Sequence, residues 1–234
     1  MLGNKRLPHP PIHGTVYGVL LNAQREWALC EHVMHESPYQ SPPSAPVLYI
    51  KTANTWSAHD AAIALPANVP SIEVGATLGV VIGEPNANDS LHVSGFVLLN
   101  DVSIPHGVAA QGFYRPPIKY KNLDGFLGIG PHVATTSQVP YPNQLTLEVR
   151  INGVLQQTVD LQTMRRLLPQ LLTDVGAFTP LQAGDVLMLG LDVCDQGPEA
   201  GHRPHARAGD VIDIRAPQCA ALGHLRNSLV QEAA

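Results

Sequence analysis

Charged residues are scarce in this chain of 234 residues: Asp, Glu, Lys and Arg make up 14% of it, against about 25% in an average soluble protein. No apolar run approaches the roughly 20 residues that a membrane-spanning helix needs. The 14 Lys and Arg are outnumbered by 19 Asp and Glu, so the net charge of −5 leaves no excess of basic residues for nucleic acid. These absences predict a protein with neither membrane nor nucleic-acid partners.

Cysteine is also rare, with Cys30, Cys194 and Cys219 at spacings that form no Cys-x-x-Cys pair. A disulfide framework and a zinc ribbon are therefore not indicated. Residues 1–13 contain three prolines and lack the apolar stretch of a secretory signal, so we expect an irregular lead-in there. We expect residues 14–234 to form a single domain of a cytoplasmic protein.

Apolar residues are plentiful at 44%, and they are accompanied by 21 Pro and 20 Gly. This combination indicates many short strands and turns, and hence an α+β, β-dominated fold. One helix is predicted over 23–35, and Asp160 is predicted to cap another that extends to about 175 and is kinked or split at Pro169. The predicted strands are 15–21, 47–50, 72–82, 93–99, 145–151, 154–159, and two that follow Gly184-Asp185 and Gly209-Asp210.

Several local signals refine this prediction. Glycines at 75 and 79 inside a strand indicate a bulge or a close approach of backbone, and Asn152-Gly153 predicts a hairpin turn. Residues 103–144 are predicted to be mostly a long loop, which in a compact chain is usually functional. The polar, histidine-containing segment 193–208 is predicted to be an exposed excursion.

Four segments in this order resemble the fumarylacetoacetate hydrolase superfamily. The segments are GATLGVVIG (75–83), VSGFVLLNDVS (93–103), KNLDGFLGIGP (121–131), and LTLEVRINGVLQQ (145–157) followed by LQAGDVLMLG (181–190). The stretches 37–55 and 112–121 are similar to the branch of that family that acts as isomerase and decarboxylase in 4-hydroxyphenylacetate (homoprotocatechuate) breakdown, in particular to its amino-terminal half, which in some bacteria is a separate subunit.

The resemblance implies rolled mixed β-sheets with a few peripheral helices. It also implies two reactions on small di- and tricarboxylates, namely decarboxylation of 5-oxopent-3-ene-1,2,5-tricarboxylate and isomerisation of 2-hydroxyhepta-2,4-diene-1,7-dioate. Both pass through an enol or dienolate, whose charge a divalent cation such as Mg²⁺ would stabilise. A homologous second subunit or a homo-oligomer is the implied partner.

Family members hold the metal with a Glu-x-Glu pair on one strand and an Asp at the end of a later strand. Here the pair is replaced by Gly75 and Thr77, while Asp101 matches the third acid. Glu73 is on the same strand face as position 75, but about 6.6–6.8 Å before it. One carboxylate holds Mg²⁺ weakly, so the resemblance gives Asp101 as a weak metal ligand and leaves open that the ion is bound only in the partner subunit.

Two further family features are missing. The family's histidine-bearing loop reads LNAQREWAL (21–29) here, with Glu26 in the approximate place of a catalytic histidine and Arg25 predicted at the surface. Where many relatives have Gly-Thr-Pro, this chain has Gly190-Leu191-Asp192.

Cationic residues remain on the segments that match the family. Lys51, Arg115 and Lys121 could neutralise substrate carboxylates, and Tyr114 is either a proton donor or a packing aromatic. The predicted catalytic residues are Lys121, Arg115 and Asp101, and the predicted substrate-binding residues are Lys51, Tyr114, Arg115 and Lys121.

Three functions are compatible with these residues. The first is an enzyme subunit that shares a site with a metal-bearing homologue, and the second is a structural pseudo-subunit of the same complex. The third is a hydrolase of acylpyruvates with an unorthodox metal site, which the residues Gly75 and Thr77 disfavour. The sequence does not decide between the first two.

Overall fold

A computed structural model of the chain describes residues 11–85, 91–105 and 117–232. The helices within these ranges are α1 (Gln24–Met34), α2 (Pro117–Lys121) and α3 (Leu168–Gly176). The strands are β1 (Val16–Leu20), β2 (Val47–Lys51), β3 (Trp56–Ala58), β4 (Ala62–Leu65), β5 (Ile72–Glu73), β6 (Ala76–Ile82), β7 (Val93–Asp101), β8 (Leu127–Ile129), β9 (Ala134–Thr135), β10 (Thr146–Ile151), β11 (Val154–Asp160), β12 (Val186–Met188), β13 (His205–Ala206), β14 (Val211–Arg215) and β15 (His224–Gln231).

The strands form two large mixed sheets and one small pair. The eight-stranded sheet has the order β2-β1-β12-β6-β7-β8-β3, with β9 also paired to β7. The five-stranded sheet has the order β11-β10-β14-β15-β4, and β13 pairs with β5. Most neighbours are antiparallel, but β1–β12, β3–β8 and β4–β15 are parallel. The predicted β-dominated α+β class with curled mixed sheets is confirmed.

The central strands of the larger sheet are buried on both faces. From β6, Leu78 and Val80 belong to the main core cluster, together with Leu147 of β10. On the opposite face, Leu99 of β7 and Met188 of β12 belong to a second cluster. Each such side chain contributes about 1.5–3 kcal/mol when it is fully removed from water. This double burial explains why β6 and β7 are nearly continuous apolar runs in the sequence.

The strand predicted over 72–82 is interrupted. It divides into β5 and β6 at Val74 and Gly75, where Asp101 donates its backbone N–H to the Gly75 carbonyl at 2.8 Å. A Cβ atom at position 75 would overlap the Asp101 carbonyl oxygen. The close backbone approach indicated by the glycine is therefore found in the structure, and this approach ends the regular strand.

The predicted second helix is split, as Pro169 indicated. Asp160 caps a single 3-10 turn over Leu161–Thr163, accepting a hydrogen bond from the Gln162 N–H at 2.9 Å. The helix α3 begins afterwards, at Leu168, and Pro169 stands in its first turn. Proline is tolerated there because that N–H would have no helical partner.

The segment 193–208 is only in part the exposed excursion that its polarity predicted. Pro204 and Ala206 are buried, and β13 within this segment pairs with β5. The Val74 N–H donates to the Pro204 carbonyl at 2.8 Å, which continues this pairing. Residues 195–198, 200, 202, 207 and 208 are exposed, so the prediction holds for about half of the segment, and backbone pairing and ion pairs bury the rest.

The predicted long loop over 103–144 is described at 103–105 and 117–144. The described part contains α2, β8 and β9 between irregular stretches. In the described ranges there is no helix of the length and apolarity required to cross a membrane.

Candidate functional site

The predicted site residues Lys51 and Asp101 meet where their strands end. Asp101 is the last residue of β7 and Lys51 is the last residue of β2. Lys51 pairs with Val16 of β1, whose side chain belongs to the second core cluster. Directly paired residues project to the same side of a sheet, so the lysine lies on the face opposite the main core.

Asp101 is the centre of a buried ion-pair cluster. Its Oδ1 lies 2.9 Å from Nζ of Lys51, and its Oδ2 lies 2.8 Å from Nζ of Lys121. The Tyr49 hydroxyl also donates a hydrogen bond to Oδ2. The side chains of Asp101 and Lys51 are 0% exposed, and that of Lys121 is 14% exposed. With two ammonium groups and one carboxylate, the cluster carries a net charge of about +1.

The two lysines differ in how their N–H groups are used. Besides its ion pair with Asp101, Lys51 donates to the Phe126 carbonyl at 2.9 Å and to the Lys121 carbonyl, so three oxygen atoms surround its ammonium group. Lys121 donates to Asp101, and its Nζ lies 4.8 Å from the centre of the Tyr49 ring. Of the two lysines that pair with Asp101, Lys121 is thus the one with donor capacity left for an anionic ligand.

The protonation states follow from burial and charge. Burial acts to raise the pKa of Asp101, but the charges of Lys121 and Lys51 outweigh it and hold this pKa well below its usual range. Burial and the Asp101 carboxylate raise the pKa of Tyr49, so that it keeps its proton. Burial lowers the pKa of Lys51, and the Asp101 charge opposes this shift. The site is therefore an ionised carboxylate surrounded by donors.

Tyr49 reaches Asp101 because of a glycine on the neighbouring strand. Gly18 of β1 pairs with Tyr49 of β2, and a Cβ atom at position 18 would overlap the Tyr49 ring. The Tyr49 ring lies across Gly18, and this position brings the Tyr49 hydroxyl to Asp101 at the end of β7. Tyr49 was not identified from the sequence, although its position two residues before Lys51 puts both side chains on one strand face.

A second charged cluster is formed around Arg203. Its guanidinium contacts Glu26 of α1 at 2.7 Å and Glu73 of β5 at 3.1 Å. The Ser103 hydroxyl donates to Oε2 of Glu73 at 3.0 Å, and the Leu21 N–H donates to Oε2 of Glu26 at 2.8 Å. Burial raises the pKa of Glu26, although Arg203 and that N–H oppose the shift. Burial would lower the pKa of Arg203, but its two acidic partners raise it.

Arg25 is not the simple surface residue that was predicted. Its guanidinium lies 2.9 Å from Asp192 and 3.5 Å from Asp195, and its side chain is 28% exposed. Asp192, which replaces the last residue of the family's Gly-Thr-Pro, is buried. Burial raises the pKa of Asp192, opposed by the Val193 N–H and Arg25. The aspartate introduced at this departure from the family therefore has its own cationic partner.

The residues around Asp101 do not fit a divalent metal ion. Such an ion takes about six oxygen ligands, whereas Asp101 already pairs with two ammonium groups. Gly75 has no side chain, Thr77 offers one buried hydroxyl, and Glu73 is bound by Arg203 and Ser103. The described ranges contain no cluster of three or more His, Cys, Asp or Glu side chains suited to a metal. The predicted metal role of Asp101 is therefore at odds with this arrangement.

The other predicted residues are distributed as follows. Lys51, Lys121 and Asp101 come together, while Glu26 and Glu73 belong to the Arg203 cluster. Arg115 and Tyr114 lie outside the described residues, so their predicted roles stay predictions. Arg203 was missed, because nothing in the local pattern of 193–208 distinguishes a buried arginine from an exposed one.

The fold is β-dominated, and a cluster of two lysines and one aspartate lies at the ends of its strands. The family model described as fumarylacetoacetate (FAA) hydrolase C-terminal matches residues 15–230. The chain belongs to the fumarylacetoacetate hydrolase family.

Two relatives are enzymes of aromatic degradation. The chain is 31% identical to the 4-hydroxyphenylacetate degradation bifunctional isomerase/decarboxylase of Salmonella dublin, over 94% of this chain and 48% of the relative. It is also 31% identical to the Escherichia coli protein of the same name, over 76% of this chain and 40% of the relative. The chain thus spans about half the length of the curated relatives it matches.

Solved structures support the fold. The 5-carboxymethyl-2-hydroxymuconate delta-isomerase from Mycobacterium smegmatis superposes with a TM-score of 0.70 at 21% identity. The match covers 95% of this chain and 81% of that structure. At this identity the likeness establishes the shared architecture.

Proposed function

We propose that this chain is a subunit of an isomerase/decarboxylase that acts on 2-hydroxyhepta-2,4-diene-1,7-dioate and 5-oxopent-3-ene-1,2,5-tricarboxylate. The identity to the bifunctional enzymes over most of the chain supports the substrate class. The observation that carries the proposal is the cationic cluster of Lys51, Asp101 and Lys121 at the ends of family-matched strands. Its ammonium at Lys121 suits a substrate with two or three carboxylates.

The chemistry follows from where negative charge develops. Isomerisation and decarboxylation of such substrates both place charge on an enol or dienolate oxygen, and an ammonium group fixed beside that oxygen lowers its energy. In this proposal Lys121 is the electrostatic stabiliser. Tyr49 keeps its proton because its pKa is raised, so it orients Asp101 and is not a base. Arg115 and Tyr114 are proposed to bind the distal carboxylate.

The divalent cation of the complex is assigned by this proposal to a homologous second subunit, because the residues at Asp101 do not fit one. The present chain would then contribute positive charge and binding surface to a shared site. Such a division of roles accounts for a chain that has the family fold but carries Gly75 and Thr77 at the Glu-x-Glu positions.

The test is co-purification with a metal-competent homologue and assay of both reactions, with and without EDTA. Lys121→Met in this chain should lower the rate of at least one reaction about 10- to 100-fold, because a hydrogen bond to a charged group contributes about 1.5–3 kcal/mol. The matched control is Lys119→Met, which removes an exposed ammonium two residues away in α2. The control should leave both rates unchanged.

A second candidate function is a structural pseudo-subunit of the same complex. It is favoured by the closed pairing of Asp101 with Lys51, in which neither side chain is exposed. Under this alternative, Lys121→Met and Arg115→Ala leave both rates unchanged while the complex still assembles. Size-exclusion chromatography of each variant complex, run beside the assays, separates loss of assembly from loss of chemistry.

A further inference from the structure

Lys51 has the environment of a bound cation. Its ammonium contacts one carboxylate oxygen of Asp101 at 2.9 Å, the Phe126 carbonyl at 2.9 Å and the Lys121 carbonyl, and its side chain is 0% exposed. A carboxylate and backbone carbonyls are also the oxygen ligands that hard divalent cations prefer. Burying an ammonium group is unfavourable unless its charge and its N–H groups have partners; here the Asp101 carboxylate balances the charge and two carbonyl oxygens accept N–H groups.

The neighbouring backbone leaves no room for further acidic ligands. Gly75 accepts the Asp101 N–H at 2.8 Å and donates its own N–H to the Asn100 side chain at 3.2 Å. Because a Cβ atom at position 75 would overlap the Asp101 carbonyl oxygen, any side chain there requires the strands to move apart. The backbones at Gly75 and Asp101 are therefore too close together for a metal-binding side chain at position 75.

We propose that the Lys51 ammonium is a built-in counter-cation that takes the place of a divalent metal ion beside Asp101. The carboxylate keeps a cationic partner, but that partner is covalently part of the chain and needs no ion from solution. This charge balance lies within the one chain and does not depend on which reaction the chain takes part in.

Lys51 also has a positioning role in this arrangement. Its bond to the Lys121 carbonyl holds the last residue of α2, and α2 presents the partly exposed Lys121 ammonium. One buried cation therefore neutralises Asp101 and fixes the backbone beneath the second cation. A metal ion bound from solution could also neutralise Asp101, but it has no N–H group to donate to the Lys121 carbonyl.

The first test uses Mn²⁺ alone as the probe, with the purified chain of 234 residues and no substrate. Electron paramagnetic resonance and calorimetry should detect no Mn²⁺ binding that depends on Asp101, so the wild-type chain and Asp101→Asn should give the same titration. One equivalent of tightly bound Mn²⁺ in the wild-type chain that disappears in Asp101→Asn would overturn the proposal.

The second test is chemical rescue of Lys51→Ala. The substitution should lower the midpoint of urea unfolding, and n-propylammonium should restore part of the loss because it replaces the missing amine. Tetramethylammonium at the same ionic strength should not, since it has no N–H to donate. The matched control is Lys119→Ala, whose midpoint should be unchanged and insensitive to both ions.

A Lys51→Ala midpoint equal to that of the wild-type chain, or equal restoration by both ammonium ions, would contradict the role of Lys51. If Lys51→Ala does not fold, Lys51→Met is measured in its place, and the Mn²⁺ titration of the wild-type chain decides the question by itself. Neither test measures turnover, so a failure here is distinguishable from a failure of the proposed function.

Discussion

Arg203 and Glu26, 177 residues apart in the sequence, form an ion pair of 2.7 Å between Nη2 and Oε1. Their side chains are 14% and 12% exposed, and the same guanidinium also contacts Glu73 of β5. The pair ties the segment 193–208 to α1 and to the small sheet. The part of this segment around Arg203 is therefore packed against the rest of the domain.

Removal of this arginine should be strongly destabilising. Arg203→Met leaves Glu26 and Glu73 without their cation in a mostly buried place, and breaking such a pair costs about 3–5 kcal/mol. Urea denaturation monitored by circular dichroism measures the loss of unfolding free energy. Arg207→Ala, at an exposed position in the same segment, is the control and should change it by less than about 0.5 kcal/mol. Equal effects of the two substitutions would show that the Arg203 bridge contributes nothing.

Gly18→Ala should displace the Tyr49 ring from Asp101. The added Cβ overlaps the ring, and overpacking of this kind costs about 1–3 kcal/mol. The measurement is the free energy of unfolding. The control is Gly176→Ala at the end of α3, where the new Cβ would be 3.8 Å from Leu91 Cδ2 and the change should be neutral or slightly stabilising. A neutral Gly18→Ala would mean that the ring is not held over this glycine.

The contribution of Asp101 to stability should depend on pH. Its pKa in the folded chain is depressed by Lys121 and Lys51 against the effect of burial, so its stabilisation is fully present above the unfolded pKa of about 3.9. That stabilisation is lost progressively as the pH falls below about 4. The difference in unfolding free energy between the wild-type chain and Asp101→Asn should thus be about 3–5 kcal/mol at pH 7 and shrink in acid.

The control for this pH dependence is Asp124→Asn. Asp124 is exposed and accepts a hydrogen bond from Asn54 at 2.7 Å, and an amide oxygen can keep that bond. Its effect should stay within about 0.5 kcal/mol across the same pH range. A difference for Asp101→Asn that does not vary between pH 7 and pH 3 would contradict the ion-pair assignment.

Thr77→Val should be neutral or stabilise the chain by up to about 1 kcal/mol. The Thr77 hydroxyl is fully buried and finds no hydrogen-bond partner among the described residues, so an isosteric methyl group removes an unsatisfied polar atom. Thr55→Val is the matched comparison, because the equally buried Thr55 hydroxyl donates to the Thr52 carbonyl at 2.7 Å. Thermal unfolding should show a loss only for Thr55→Val. A larger loss for Thr77→Val would indicate a bound group that uses this hydroxyl.

Local patterns predicted a large share of the fold because they depend on neighbouring residues. The Asn152-Gly153 turn between β10 and β11 has positive φ at both residues, 51° and 80°, which is the geometry that this dipeptide favours. The split at Pro169 follows from the ring and the missing N–H of that residue. The glycine at position 75 indicated a close approach of backbone without revealing that Asp101 is the residue approached.

The candidate site could be predicted only in part. Lys51, Lys121 and Asp101 were identified as candidates from their family-matched segments, and the structure brings the Nζ of each lysine within 3 Å of an Asp101 carboxylate oxygen. Their mutual pairing was not predicted, because charges at the ends of separate strands give no sign of which ones meet. Whether they act on substrate stays a prediction, as do the roles of Arg115 and Tyr114.

By itself, the sequence determined the β-rich class, the hairpin, the break at Pro169 and the presence of a lone family carboxylate, since each depends on local conformational preference or on residue identity. Only the tertiary structure decided that Asp101 is neutralised by two lysines and that Arg203 is buried between two glutamates. The physical reason is that an ion pair depends on distance in space and on exclusion of water. Both are set by the packing of strands that are remote from one another in the chain.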